Sequence, residues 1–239
     1  MTSVAVLIPA LNEEGTIARV IAALPPGRVR EVVVVDNGST DGTAAAARAA
    51  GATVLSEPRR GYGRACWTGI QHLVANPPEV LVFLDGDLSD EPGELARLLE
   101  PIEAGRADLV IGSRVRGNPE PGSLSPVQAF GNALATAWIG LFHGYRYTDL
   151  GPFRAIRFPA LLALGMRDRS FGWTVEMQVL TLRMGLGVEE VPVSYRRRRA
   201  GVSKVSGSLA GSFHAGRVIL WTLLAAGLRG LPRGRPGAE

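Results

Sequence analysis

Short apolar runs alternate with helix-like segments over the first half of the chain. The runs are three to five residues long and rich in Val, Ile and Leu, which is typical of buried strands; they cover residues 4–8, 31–35, 53–55, 80–84 and 109–111. The segments between these runs, near residues 13–24, 41–50, 61–75 and 92–104, have helical spacing. This alternation predicts an α/β fold, with a mostly parallel sheet and helices on both faces.

The pattern changes after residue 115. Residues 116–126 are rich in Gly, Pro and Ser and predict a loop. Helices are then predicted near residues 127–142 and 173–184, and a strand over residues 187–195.

Polar motifs follow four of the predicted strands. They read PALNEE (9–14), DNGSTDGT (36–43), DGDLSDEP (85–92) and GSR (112–114). Ligands of open parallel sheets bind at the carboxyl ends of the strands, so we expect these four motifs to meet at one functional edge.

Asp85 and Asp87 end an all-apolar strand and stand one residue apart. Two neighbouring carboxylates raise each other's pKa unless a cation lies between them. Mg²⁺ and Mn²⁺ prefer such hard oxygen ligands, and Gly86 would let the backbone approach the ion. The motif therefore predicts a divalent metal site, although Asp-Gly is also a common turn sequence.

Asp36 also ends an apolar strand and is placed to accept hydrogen bonds from a base or ribose. The following residues, STDGT, could equally be turn and helix-capping residues. No G-x-G-x-x-G follows the first strand, and no G-x-x-x-x-G-K-[ST] occurs in the sequence. A dinucleotide oxidoreductase and a P-loop ATPase are therefore disfavoured.

The composition favours one main domain with anionic partners. The chain has 239 residues, a net charge of +4 and a pI near 9.8, which suits nucleotide phosphates, nucleic acid or an acidic membrane surface. The run of arginines at 196–199 has no interleaved aromatic residue beyond Tyr195, which argues against nucleic acid. One cysteine, Cys66, and the lack of a signal-like start predict a cytoplasmic protein.

The C-terminal region is apolar but short of a membrane span. Residues 218–228 form its unbroken apolar run, against the roughly 20 residues that cross a bilayer. We expect a main domain over 1–206, a docking or membrane-interfacial helix over 207–230 and a disordered tail over 231–239. A core helix is the alternative for 207–230.

Five segments taken in order, VLIPALNEE, VVVVDNGSTDGT, FLDGDLSDEP, GSR and RRAGVSK, resemble the inverting family 2 glycosyltransferases with the Rossmann-like GT-A fold. The branch of dolichol-phosphate mannose synthases and polyprenyl-phosphate glycosyltransferases is the most similar, over roughly residues 3–206. The resemblance implies a UDP- or GDP-sugar donor, a polyprenyl phosphate acceptor and Mg²⁺ or Mn²⁺ on Asp85 and Asp87. It also suggests activity at the inner face of the plasma membrane.

The resemblance assigns roles to further residues. Those expected around the nucleotide and donor are Pro9, Ala10, Asn12, Glu13, Asp36, Gly38, Asp85 and Gly86. Those expected at phosphates are Arg114, Arg154, Arg199, Ser203 and Lys204. The synthases usually carry glutamine where this chain has Ser89, so either Ser89 or water would complete the metal shell.

The acceptor is left open between two classes. A lipid phosphate is already anionic and needs only positive groups, whereas a hydroxyl needs a carboxylate base. Asp149 and Glu176 are the candidate bases, which join Asp87 and Arg114 as predicted catalytic residues. Alternatively, Glu176 pairs with Arg183, and Asp149 orients Arg146 and Arg154 as a phosphate cradle.

Overall fold

The structure, a computed structural model, describes residues 2–198. Predictions for Arg199, Ser203, Lys204 and the segments 207–230 and 231–239 concern residues outside this part of the chain, and the domain boundaries stay predictions.

Seven strands form one sheet in the order β3-β2-β1-β4-β6-β5-β7. Their bounds are Val4–Ala10 (β1), Glu31–Asp36 (β2), Thr53–Ser56 (β3), Val80–Phe83 (β4), Leu109–Ser113 (β5), Arg154–Arg157 (β6) and Val188–Pro192 (β7). All neighbouring pairs are parallel except those of β6, which runs antiparallel to both β4 and β5. The predicted α/β class with a mostly parallel sheet is confirmed.

Seven α-helices accompany the sheet within residues 2–198. They are Ile17–Ala22 (α1), Thr43–Ala49 (α2), Tyr62–Val74 (α3), Leu95–Glu103 (α4), Pro126–His143 (α5), Phe158–Leu164 (α6) and Trp173–Arg183 (α7), with a 3-10 turn at Pro92–Glu94 before α4. Two separate hydrophobic clusters are built from alternate residues of the central strands, such as Leu7 in one and Ile8 in the other. The sheet is therefore covered on both faces, as a buried parallel sheet requires.

The short elements β6 and α6 were not predicted. Strand β6 has the sequence RAIR. Its two charged ends interrupt the apolar run from which a buried strand is predicted. Its pairing with Phe83 on one side and Ile111 on the other comes from long-range contacts. Because β6 is antiparallel, the loop that precedes it lies at the carboxyl ends of β4 and β5.

Candidate functional site

The turn after β4 is held by hydrogen bonds from both sides. The main-chain N–H of Ser89 donates to Asp87 Oδ1 at 2.9 Å. The Thr16 hydroxyl, just before α1, donates to the carbonyl of Gly86 at 2.7 Å. The left-handed residue of this turn is Leu88, with φ 59°, and not the glycine.

Gly86 leaves only limited room. A Cβ added there would lie 3.4–3.5 Å from side-chain atoms of Ile17, Glu13 and Ile8. These are near-ordinary contacts, so packing within the protein alone does not demand glycine at this position. Close approach of a ligand, as the resemblance implies, stays a prediction.

Negative charge accumulates at this turn. Burial and the neighbouring charge of Asp87 raise the pKa of Asp85 to about 7, against the opposing charges of Arg114 and Arg198. Asp90 is 3% exposed, and neither of its carboxylate oxygens has a hydrogen-bond partner among the residues described. Burial and the charges of Asp85 and Asp87 hold the pKa of Asp90 well above its usual range.

This arrangement fits a divalent cation that is shared with a substrate. Asp85 and Asp87 offer hard oxygens whose repulsion a cation would relieve. Within residues 2–198 there is no cluster of three or more His, Cys, Asp or Glu side chains suited to a metal ion. A cation here would therefore depend on phosphate oxygens or water for the rest of its shell, which is how Mg²⁺ is commonly bound.

The loops after β1 and β2 are tied together. Asn12 has a left-handed backbone, with φ 53°; its N–H donates to the Ser39 hydroxyl at 2.9 Å, and its side-chain oxygen accepts from the N–H of Thr40 at 2.8 Å. The N–H of Glu13 donates to Thr43 Oγ1 at 2.8 Å. The two predicted nucleotide motifs thus form one preorganised surface.

Asp36 and its neighbours complete this surface. Asp36 Oδ1 accepts the N–H of Ser39 at 3.0 Å, which is the turn role considered from the sequence. Gly38 has φ +78° and lies against the carbonyl of Pro58, so a positive φ explains the glycine. Pro9 and Ala10 lie in β1 beside Val35 and Asp36 of β2.

Asn37 was missed in the sequence. Its side-chain amide donates to the carbonyls of Glu57 and Arg59, both at 2.8 Å, and its oxygen accepts from the N–H of Gly61 at 2.9 Å. It therefore fixes the 57–61 segment beside Asp36. The sequence signal that could have identified Asn37 is its position directly after the aspartate that ends β2.

Arg114 and Asp149 form a buried two-point ion pair. The Arg114 guanidinium donates through Nε at 2.8 Å and Nη2 at 2.7 Å, and the Arg114 N–H donates to the same carboxylate at 2.8 Å. Asp149 is 0% exposed, and the Arg114 guanidinium also lies 5.0 Å from the ring centre of Tyr195. Asp149 thus orients Arg114 with both of its oxygens, and its role as a base stays a prediction.

Two further predicted site residues are buried and hydrogen-bonded within the protein. Arg154 is 1% exposed, and its guanidinium donates to the carbonyls of Leu150, Gly151 and Thr174; its contact with phosphate stays a prediction. Glu176 is also buried; its Oε2 accepts the N–H groups of Arg167 at 3.0 Å and Asp168 at 2.7 Å. Glu176 therefore shapes a loop.

Arg198 is a basic residue of the described chain that reaches the acidic turn. It pairs with Glu13, and its Nε lies 3.5 Å from Asp87 Oδ2. Arg198 was not among the residues predicted from the sequence; its neighbour Arg199, which was, lies outside residues 2–198 and stays a prediction.

Comparison with known proteins decides the family. The family described as Glycosyl transferase family 2 matches residues 5–168. The chain belongs to this family. It is 42% identical over 214 residues to an uncharacterized glycosyltransferase of Mycobacterium tuberculosis, covering 89% of this chain and 94% of that protein. It is 34% identical over 223 residues to the undecaprenyl-phosphate mannosyltransferase of Micrococcus luteus, covering 86% and 88%.

Solved structures agree with this family 2 glycosyltransferase assignment. Glucosyl-3-phosphoglycerate synthase from Mycobacterium tuberculosis, solved in complex with Mn²⁺, UDP and glucosyl-3-phosphoglycerate, aligns with a TM-score of 0.75 and 25% identity, covering 94% of this chain and 80% of that one. The expected GT-A fold and glycosyltransferase activity are thereby confirmed. The roles of individual residues stay predictions.

Proposed function

We propose that this glycosyltransferase moves a sugar, with inversion, from a UDP- or GDP-sugar to a polyprenyl phosphate at the cytoplasmic face of a membrane. The similarity to an undecaprenyl-phosphate mannosyltransferase supports this acceptor class. The Mn²⁺ and UDP in the solved structure of the synthase support a nucleotide-sugar donor and a reaction that depends on a metal ion.

The observation that supports a lipid phosphate as acceptor is that both candidate bases are already engaged in hydrogen bonds within the protein. Asp149 binds Arg114 through both oxygens, and Glu176 accepts two main-chain N–H groups. A hydroxyl acceptor would need a carboxylate able to take its proton. A phosphate is already an anion and needs only cations such as Arg114 to hold it.

The donor would lie over the loops that carry Asn12, Asp36 and Gly38, with its diphosphate toward Asp85, Asp87 and Arg198. A bound Mg²⁺ or Mn²⁺ on Asp85 and Asp87 would neutralise charge on the diphosphate. For the diphosphate to approach, Arg198 would exchange part of its contact with Glu13 and Asp87 for phosphate oxygens. Arg114, held rigid by Asp149, would position the acceptor phosphate.

The reaction is a displacement at the anomeric carbon. An oxygen of the acceptor phosphate forms the new bond as the bond from that carbon to the diphosphate breaks, and the nucleoside diphosphate leaves with the electron pair. No proton is moved in this step, which agrees with a site whose buried carboxylates serve other purposes.

The test is a transfer assay on the full chain. Labelled UDP-glucose or GDP-mannose is incubated with Mn²⁺ and polyprenyl phosphate in detergent, and we expect labelled, solvent-extractable lipid with one of these donors. Arg114→Lys keeps the charge but loses the two-point geometry, so it should slow transfer at least tenfold. Arg28→Lys, in an exposed pair with Glu103, is the matched control and should leave the rate unchanged.

A hydroxyl acceptor is the second candidate, because Asp90 is buried and without a partner in the region described. The glucosyl-3-phosphoglycerate synthase was also solved in complex with phosphoglyceric acid, a phosphorylated hydroxy acid. The raised pKa of Asp90 opposes this role, because a protonated carboxyl cannot accept a proton. If Asp90→Asn abolishes transfer to a hydroxyl acceptor and no labelled lipid forms with any donor, this second function replaces the first.

A further inference from the structure

Helix α5 has an unusual composition for a surface helix. Its 18 residues, PVQAFGNALATAWIGLFH, include no Asp, Glu, Lys or Arg. No helix within residues 2–198 meets the length and hydropathy needed to cross a membrane. The helix therefore has to be understood as an element at the surface of the domain.

One side of α5 packs on the protein and the other does not. Ala135, Thr136 and Ile139 are buried. In the part of the chain described here, nine large apolar residues are exposed, and five of them lie on α5; these are Val127 at 55%, Phe130 at 69%, Leu134 at 44%, Leu141 at 78% and Phe142 at 60%. The helical spacing of Val127, Phe130, Leu134 and Leu141 places these four on one face, opposite the buried residues. Phe142 lies to the side of this face, with its ring 4.5 Å from that of Trp138.

The helix is attached to the acceptor side of the site. The side-chain amide of Asn132 donates to the carbonyl of Thr148 at 3.0 Å, and its oxygen accepts from the N–H of Leu150 at 2.8 Å. These two residues flank Asp149, which orients Arg114. The buried side of α5 is thus held against the loop that carries Asp149, and the exposed face lies on the other side of the same helix.

Exposed arginines lie on the segments that adjoin α5. Arg146 is exposed just beyond the end of α5, and Arg116 is exposed beyond β5, where it donates to the carbonyl of Glu190, the residue whose side chain accepts from Thr148. Arg197 contacts the loop that leads into α5 through the carbonyl of Pro121. An apolar helix face with arginines on the neighbouring segments is complementary to an anionic phospholipid surface.

We propose that the exposed face of α5 docks on an anionic phospholipid membrane, with Phe130, Leu134 and Leu141 at the boundary between headgroups and acyl chains. This inference rests on the proposed function, since it explains how a site in a domain without a described membrane span reaches an acceptor phosphate at a bilayer surface. It assigns the contact to α5, whereas the sequence had pointed to the C-terminal segment.

The test measures binding of the full chain to vesicles that contain neither acceptor nor donor. Vesicles of phosphatidylglycerol and phosphatidylcholine are sedimented with wild type and with the triple variant Phe130→Ser, Leu134→Ser and Leu141→Ser. We expect the triple variant to bind at least tenfold more weakly, and both proteins to bind pure phosphatidylcholine more weakly than the anionic mixture. Leu141→Ser alone, at the most exposed position, provides a second measurement if the triple variant does not fold.

A matched control makes the same kind of substitution at exposed apolar residues outside α5. Val74→Ser, Leu162→Ser and Met184→Ser remove exposed apolar residues outside α5 and should leave vesicle binding unchanged. Circular dichroism and thermal unfolding check that each variant is folded.

Several outcomes would overturn the docking surface. Equal binding by wild type and the α5 variants would place the membrane contact outside α5. No binding by wild type would exclude the contact. A change from dimer to monomer in the α5 variants, with vesicle binding intact, would assign the face to a second copy of the chain. Loss of vesicle binding in the variant, together with absent lipid transfer by wild type in detergent, would support docking and overturn the polyprenyl phosphate acceptor.

Discussion

Two buried carboxylates at the same edge of the sheet have opposite surroundings. Asp149 is bound at both oxygens by Arg114. Asp90 has no hydrogen-bond partner at either oxygen within residues 2–198, and Asp85 and Asp87 lie close enough to raise its pKa. A buried charge without a partner is unfavourable, so Asp90 keeps its proton to higher pH than an exposed aspartate does, whereas Arg114 compensates the charge of Asp149.

The largest effect should come from breaking the compensated pair. Asp149→Asn leaves the Arg114 guanidinium buried opposite a neutral amide, which typically costs about 3–5 kcal/mol of unfolding free energy. Urea denaturation at pH 7 measures this loss. Glu103→Gln, in the exposed pair with Arg28, should change the same quantity by less than about 1 kcal/mol. Equal losses for the two variants would contradict the scaffold role of Asp149.

The next effect concerns the aspartates of the turn after β4. Asp87→Asn should lower kcat/KM about a hundredfold, equivalent to about 2.7 kcal/mol, and remove any enhancement of donor binding by Mn²⁺, because an amide does not neutralise the cation. Donor-induced shifts in Tm, with and without Mn²⁺, give the second readout. Asp108→Asn, at a surface pair with Arg157, should keep the Mn²⁺ effect. Full activity of the Asp87 variant would refute the metal site.

Asp90→Asn should produce a smaller effect that depends on pH. The pKa of Asp90 is raised in the folded protein, so the folded state binds more protons than the unfolded chain above pH of about 4. Wild type therefore loses stability as pH rises from about 4 toward the folded pKa of Asp90. Asp90→Asn removes this contribution and keeps the one from the raised pKa of Asp85, so it loses less stability than wild type. We expect the Tm of the variant to match wild type at pH 4 and to exceed it at pH 8 without Mn²⁺. A variant that is less stable at both pH values would show that Asp90 has a partner.

The smallest effect belongs to a carboxylate far from this edge. Burial acts to raise the pKa of Glu31, but hydrogen bonds from His72 and Thr53 and the charges of His72 and Arg30 outweigh it, so the pKa is lowered. The stabilisation is present above the unfolded pKa and is lost as pH falls through the lowered folded value. Glu31→Gln should cost less than about 1 kcal/mol at pH 6 and nothing at pH 2, as measured by urea denaturation. A constant difference across this range would exclude an ionic origin.

The strands and the position of their motifs could be predicted because both are local properties. Val80 to Phe83 are apolar and β-forming, and parallel strands bring their carboxyl ends to one edge whatever the details of packing. The glycine at position 38 is likewise a local feature, since its positive φ belongs to one short turn.

The pairing of charges could not be predicted, because it depends on contacts between distant parts of the chain. Arg154 and Arg114 look alike in sequence, yet the antiparallel insertion of β6 buries Arg154 among main-chain carbonyls. Arg198 lies in a run of four arginines, and its pairing with Glu13 joins residues 185 positions apart.

The sequence by itself determined the α/β class, the edge at which the chemistry is expected and the family, since periodicity and ordered motifs are carried by neighbouring residues. Only the tertiary structure decided that Asp149 is held by Arg114, that Asp90 is left without a partner within residues 2–198 and that α5 exposes an apolar face. Each of these depends on burial, which sets the free energy of a charge or an apolar group. The first depends also on a contact between residues far apart in the chain, the 35-residue separation of Arg114 and Asp149.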